Sequence, residues 1–321
     1  MIKGTLMTQQ ARPNILLIAP VLDSLLDRLS SAFEVHRLYE QDEPLAWLAA
    51  EGTRVQAVVT RGDVGISNAV LEQLPQIGLI AIFGVGTDAV DLDYARKANI
   101  AVTITSGVLT NDVADMAMGL LLSGARRLCL GDRFVREGQW LRQAPALGTQ
   151  VSGKRVGIVG MGNIGRAIAQ RATAFDMSVS YISCTPKPEL PYTRCGDIYT
   201  LARENDFLIV AASGGAANRG LIDASVLEAM PAHAWLVNIA RGTLVDENAL
   251  IQALQRKAIA GAALDVFEEE PHVPEALIAL DNVILQPHVG SATAETRQKM
   301  SDVVFANVDA FFKGRPLPNA V

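Results

Sequence analysis

The chain has 321 residues, half of them hydrophobic and 19% charged, with a formal net charge of −6 at pH 7. That length exceeds one typical domain and suits two, each able to bury its own core. An acidic balance with a pI near 5.3 argues against a nucleic-acid surface, so any anionic substrate must be met by local positive groups.

Three cysteines, Cys129, Cys184 and Cys195, are too few and too irregularly spaced for a disulfide framework or a zinc site. No metal is expected, and a reducing cytoplasm is the default location. Long uncharged runs such as Gln73 to Thr87 are broken by Pro and Gly and fall short of the roughly 18 apolar residues of a membrane span. The stretch from Met1 to Arg12 carries Lys3 and Arg12 without the apolar core of a secretory signal. It reads as a frayed leader, with Met7 an alternative start.

From Asn14 onward short β-rich runs alternate with helical patterns. Ile15 to Ala19, Glu34 to Leu38, Val55 to Thr60, Leu79 to Phe83 and Ile100 to Thr105 are predicted strands. Helices are predicted around Leu22–Leu29, Pro44–Glu51, Asn68–Leu74 and Asp91–Ala98. This is the pattern of a parallel α/β unit, and it contains no phosphate-binding motif. Thr110 then reads as an N-cap, with Val113, Met116, Ala117, Leu120 and Leu121 as one apolar stripe. The long helix so defined is expected to carry the chain into a second domain.

That domain opens with a strand-like run, Lys154 to Val159, leading directly into Gly160-Met161-Gly162-Asn163-Ile164-Gly165 and a helical pattern. Gly160 allows a tight turn, Gly162 lets backbone approach a pyrophosphate, and Gly165 lets helix and strand pack closely. Further strands are predicted at Ser178–Ser183, Phe207–Ala211, Trp235–Ile239, Ala260–Leu264 and Val283–Leu285. The last segment, Ser291 to Lys313, has a capping Thr293 and an apolar stripe at Met300, Val303, Val304, Val308, Phe311 and Phe312. It is expected to pack back on the first domain.

Three ionisable residues stand just past predicted strand ends, where α/β enzymes place their chemistry: Arg241, Glu270 and His288. A guanidinium at Arg241 can clamp a carboxylate through two parallel hydrogen bonds. A carboxylate beside an imidazole favours the protonated, proton-donating form of the ring. Together with a dinucleotide site, these groups fit hydride transfer to a carbonyl next to a carboxylate. His36 and His233 read as incidental, and His272 as a polar-loop residue.

At the end of the second strand of a dinucleotide fold an acidic residue holds the ribose 2′-hydroxyl when NAD is used. Here the stretch reads Ser183-Cys184-Thr185-Pro186-Lys187, with no acid. Ser183, Thr185 and Lys187 favour NADP, with NAD still admissible.

The chain resembles the D-isomer-specific 2-hydroxyacid dehydrogenases over essentially its whole length from Ile15. The matching stretches are Phe83 to Asp88, Leu109 to Asp115, the Gly160 loop, Asn238 to Gly242, Ala263 through Pro271, and Pro287 to Ser291. The glyoxylate/hydroxypyruvate, 2-ketogluconate and hydroxyphenylpyruvate reductase branch is most similar. The resemblance implies two doubly wound parallel-sheet α/β domains. A Rossmann dinucleotide-binding domain, 108–288, is inserted into a flavodoxin-like substrate domain, 1–107 and 289–321.

It also implies a homodimer whose two domains close over a cleft, acting on a small 2-keto acid. Arg241 would bind substrate, His288 would donate the proton, Glu270 would orient and charge His288, and the backbone amides of Val85 and Gly86 would hold the substrate carboxylate. Cofactor contacts would run along Gly160, Met161, Gly162, Asn163, Ile164 and Gly165. Others would fall at Ser183, Cys184, Thr185, Lys187, Ala212, Ile239, Ala240, Asp265, His288 and Gly290, with Asp265 beside the nicotinamide carboxamide.

There are two departures from the family pattern. Cys184 stands where NADP-using members carry arginine, and Ala211 to Asn218 replaces a Pro-Leu-Thr loop. Substrate size is expected to depend on the loop at Arg61 to Val64 and on the partner subunit, through Trp140. A rival reading is a dinucleotide-sensing, corepressor-like regulator, since the same fold and triad occur in such proteins.

Overall fold

A computed structural model describes residues 12–321, so all of the expected leader except Arg12, including Met7, lies outside the described residues. The chain divides into two compact units, one built from residues up to 108 together with 293–321 and the other from 109–292.

The first unit is a five-stranded sheet in the order β2-β1-β3-β4-β5. Its strands are β1 (Asn14–Leu17), β2 (Glu34–Arg37), β3 (Val55–Arg61), β4 (Leu79–Phe83) and β5 (Ala101–Thr103), all paired in parallel. Every residue of β4 is buried, as are five of the seven in β3, because a parallel sheet is covered on both faces. The crossovers are α1 (Asp23–Ala32), α2 (Pro44–Glu51), α3 (Asn68–Leu71) and α4 (Leu92–Lys97).

The final helix of the chain, Ala294–Phe312, also belongs to this unit. Thr293 caps it by accepting a hydrogen bond from the Thr296 N–H at 3.2 Å. Met300, Val304 and Val308 are buried, whereas Val303, Phe311 and Phe312 are only partly so. Phe312 instead packs on the Phe33 ring at 5.1 Å, and the Arg28 guanidinium lies over Phe305 at 4.3 Å.

The second unit begins with α5 (Thr110–Arg126) and α6 (Leu128–Arg136). Thr110 does not cap α5: it is the first helical residue, Leu109 occupies the cap, and no side chain caps the helix. Because the helix begins one residue early, the Thr110 hydroxyl is out of position to accept from the first-turn amides. Val113, Ala117, Leu120 and Leu121 are buried as expected, while Met116 is half-buried and Ala114 and Met118 complete the stripe.

The strands that follow are β6 (Arg155–Val159), β7 (Ser178–Ile182), β8 (Thr193–Arg194), β9 (Phe207–Val210), β10 (Trp235–Asn238), β11 (Gly261–Leu264) and β12 (Val283–Leu285). They form one parallel sheet in the order β12-β11-β10-β9-β6-β7-β8. The order reverses at β6, and such a switch point leaves a crevice at the strands' C-terminal ends where ligands bind. Helices α7 (Asn163–Ala174), α8 (Ile198–Glu204), α9 (Ala224–Ala229), α10 (Glu247–Gln255) and α11 (Glu275–Ile278) cover the faces, and the last helix of the chain is α12.

The opposite, N-terminal edge of this sheet is pinned by one carboxylate. Asp206, just before β9, has a side chain only 8% exposed. It accepts from the Arg155 backbone N–H at 2.8 Å and from Arg155 Nη2 at 2.9 Å, and it lies 2.8 Å from His233 Nε2. His233 is therefore part of a charged cluster rather than incidental. Burial alone would raise the Asp206 pKa, but Arg155 and His233 together hold it far below the ordinary carboxylate range. A carboxyl depressed in the folded state contributes stability in full above about pH 4 and loses it as pH falls. Asp206→Asn should cost about 2 kcal/mol at pH 7, a value reduced because Arg155 and His233 face solvent. In urea titrations the gap between wild type and variant should shrink below about pH 4; a gap independent of pH would contradict the ionic origin.

Candidate active site

At the centre of the second unit β6 turns into α7. Gly160 has φ +100°, and a Cβ there would come 2.7 Å from the Ala212 backbone. A Cβ on Gly165 would collide with the Gly160 carbonyl oxygen. These two positions therefore require glycine, one for the turn and one for close packing. At Gly162 an added Cβ would meet nothing within 4 Å, so the space before the helix is open.

No side chain caps α7, and its first helical bond runs from the Arg166 N–H to the Gly162 carbonyl at 3.0 Å. By contrast α8, α9 and α10 are capped by Asp197, Asp223 and Asp246. The amides of Asn163, Ile164 and Gly165 thus lack helical partners at the positive end of a 12-residue helix, an arrangement that fits a pyrophosphate. Met161 is 1% exposed, so its side chain lies beneath the loop.

Beyond β7, the Ser183 hydroxyl donates to the Thr185 carbonyl at 2.6 Å and the Tyr181 hydroxyl donates to the Lys187 carbonyl at 3.2 Å. Cys184 is exposed. Arg194 Nη2 donates to the Ser183 carbonyl at 3.4 Å, which places an arginine that no local sequence motif marks at the end of this strand. Ala212 follows β9 and packs against Gly160. In the loop that succeeds it, Asn218 Nδ2 donates to the Ser213 carbonyl at 2.9 Å, which gives the glycine-rich stretch a local closure.

After β10, Ile239 and Ala240 are buried. Asn238, also buried, bridges the turn: its Oδ1 accepts from the Ala240 N–H at 3.1 Å and its Nδ2 donates to the Arg241 carbonyl at 2.9 Å. Arg241 Nη1 donates to the Ala240 carbonyl at 2.7 Å. Asn238 was not a candidate in the sequence; an amide closing a strand, directly before an arginine turn, is the signal that could have marked it.

The loops after β11 and β12 bring the remaining groups together. His288 Nδ1 lies 2.6 Å from Glu270 Oε2, and Glu270 Oε1 accepts from the Phe267 N–H at 3.0 Å. His288 has φ +53°, a left-handed backbone that a non-glycine residue keeps only when its surroundings impose it. Asp265 imposes it. Its carbonyl accepts from the His288 N–H at 2.9 Å, and its two carboxylate oxygens accept from the N–H groups of Val289 and Gly290 at 2.8 Å each.

Burial pushes the Asp265 pKa up, only partly offset by these two amides and the His288 charge. Burial also acts upward on Glu270, but the His288 hydrogen bond and charge, the Phe267 amide and Arg241 outweigh it, so its carboxyl sits below the usual range. Glu270 is thus held ionised beside the imidazole.

Val85 and Gly86 lie in the first unit, in the loop after β4. A Cβ on Gly62 would come 3.0 Å from the Gly86 carbonyl oxygen, so the loops after β3 and β4 are closely packed. Among the described residues no group of three or more His, Cys, Asp or Glu could hold a metal ion, and no helix is long and apolar enough to cross a membrane.

Residues 118–290 match the sequence model of the D-isomer specific 2-hydroxyacid dehydrogenase NAD binding domain. The chain is 43% identical to glyoxylate/hydroxypyruvate reductase A of Arabidopsis thaliana over 94% of its own length and 97% of that protein. It is 42% identical to 2-ketogluconate reductase of Gluconobacter oxydans, covering 96% of this chain and 98% of that one. Among solved structures, NADPH-dependent glyoxylate/hydroxypyruvate reductase from Sinorhizobium meliloti, in complex with NADP and malonate, superposes with a TM-score of 0.92 at 40% identity over 97% of each chain.

Removing the Asp265 carboxylate should unfasten the His288 loop. Asp265→Ala should lower stability by about 2–4 kcal/mol, because two amides lose their acceptor. Hydrogen exchange should show faster exchange at Val289 and Gly290; unchanged protection there would contradict the anchoring role.

Proposed function

Because the chain belongs to the D-isomer-specific 2-hydroxyacid dehydrogenase family, we propose that it reduces a small 2-keto acid to the D-2-hydroxy acid, with NADPH preferred over NADH. Glyoxylate, hydroxypyruvate and related 2-keto acids are the candidate substrates. The observation that carries the reading is the His288–Glu270 pair, 2.6 Å apart and fixed by Asp265, with Arg241 near enough to act on the Glu270 charge.

The nicotinamide ring, when bound, supplies the hydride. His288 gives a proton to the carbonyl oxygen as negative charge develops there, and Glu270, 2.6 Å from Nδ1, orients the imidazole. Arg241 holds the substrate carboxylate and stabilises the same developing charge. Asp265 would lie beside the nicotinamide carboxamide when the cofactor is bound. The amides of Val85 and Gly86 bind the substrate carboxylate. Preference for NADP is supported by the lack of any acid from Ser183 to Lys187, since a carboxylate there would repel a 2′-phosphate.

The working assembly is a homodimer in a reducing cytoplasm. None of the residues of α6 is buried, and Leu128, Val135, Trp140 and Leu141 are exposed along α6 and the turn after it. Such an apolar run is uncommon on a monomer surface, and a second copy of the chain is its natural cover. The three free cysteines agree with a reducing compartment.

Initial rates with glyoxylate, hydroxypyruvate, 4-hydroxyphenylpyruvate and 2-ketogluconate, each with NADPH and NADH, test the reading directly. Turnover of at least one with NADPH favoured is expected, and no turnover on any would overturn it. His288→Asn should lower kcat by about 10²–10⁴-fold while cofactor affinity stays nearly constant; equal activity would remove His288 from the scheme. Light scattering should report a dimer that Leu141→Asp dissociates, and a monomeric wild type would contradict the assembly.

A further inference from the structure

The proposed NADP preference needs a cation that recognises a 2′-phosphate, and in dinucleotide folds an arginine near the end of the second strand does this. Position 184 in that stretch is cysteine. Three other cations lie nearby, and they are not equivalent. Arg166, on α7, is paired with Glu189 at 2.7 Å. Lys187 also acts on the Glu189 charge. Both therefore already face a carboxylate.

Arg194 differs in three respects. It comes from β8, the edge strand, and its guanidinium reaches the carbonyl of Ser183, the first residue beyond β7, at 3.4 Å. That bond uses one of the five N–H donors of a guanidinium. Among the described residues Arg194 makes no ion pair, so no carboxylate neutralises it. Its register also suits the role. Arg194 pairs with Tyr181 and Tyr181 with Ile158, and Ile158 is the residue that a Cβ on Gly165 of α7 would touch at 3.4 Å. Residues in register share a sheet face, so Arg194 stands on the face that carries the nucleotide-binding helix.

We propose that Arg194 is the residue that recognises the 2′-phosphate of the dinucleotide, supplying from β8 the guanidinium that position 184 lacks. The Ser183 carbonyl is its anchor: it holds the guanidinium at the strand end without neutralising it, leaving a planar donor fork for the phosphate oxygens. The assignment rests on the NADP reading above, and it concerns binding of the adenosine end rather than the chemical step.

The test uses the full-length protein and two nucleotides that differ only in the 2′-phosphate, adenosine 2′,5′-bisphosphate and adenosine 5′-monophosphate, titrated by calorimetry. Wild type should bind the bisphosphate more tightly. Arg194→Ala should weaken the bisphosphate about tenfold or more and leave the monophosphate within about twofold. Arg194→Lys should fall between, since it keeps the charge and loses the fork. The ratio of kcat/KM for NADPH over NADH should fall in parallel. If wild type prefers the bisphosphate and Arg194→Ala leaves that preference intact, the assignment is overturned and the NADP reading survives. A wild type that binds both nucleotides equally overturns both. Equal weakening of both nucleotides by Arg194→Ala would make Arg194 merely structural, which also overturns the assignment.

Discussion

A buried aspartate that grips three successive residues, one through its carbonyl and two through its carboxylate, is the constraint from which the site follows. Asp265 stands one residue past β11, and its carbonyl and both carboxylate oxygens hold the amides of His288, Val289 and Gly290. Charge buried to this degree is costly unless every oxygen is satisfied, and here the backbone satisfies it. The left-handed backbone of His288 and the approach of its ring to Glu270 both depend on that grip. Asp265 thereby ties the ends of two adjacent strands together and fixes the loop that carries His288.

The two ends of the second unit's sheet divide the electrostatic work. At the N-terminal edge Asp206 ties the starts of β6 and β9 to the turn before β10 and contributes stability. At the C-terminal edge stand the uncapped start of α7 and the Arg241 guanidinium, two positive features in a protein whose net charge is −6. A globally acidic molecule that acts on anions has to concentrate positive groups in this way.

Much of this was legible in the sequence because it is local. Strand–helix alternation reads directly from periodicity, and the tight β6–α7 turn follows from a glycine loop that requires small residues at Gly160 and Gly165. Arg241, Glu270 and His288 stood out because each ends a strand-like run. What escaped was long-range pairing. Arg155 and Asp206 are 51 residues apart and His233 lies a further 27 along, and nothing local marks them as a cluster. Arg194 sits on a two-residue strand too short to show a period, and only its contact with Ser183 reveals it. The cap of α5 was misplaced because Thr110 and Leu109 differ by a single residue of register, which a hydroxyl preference alone does not resolve.

The central claim is that His288 and Glu270, 2.6 Å apart, act as a unit in the proposed proton transfer, and kcat for keto-acid reduction in wild type and Glu270→Gln tests it most directly. Losing the carboxylate should lower kcat by about tenfold or more while affinity for NADPH stays nearly constant. Equal kcat in both proteins would contradict the pairing on which this account rests.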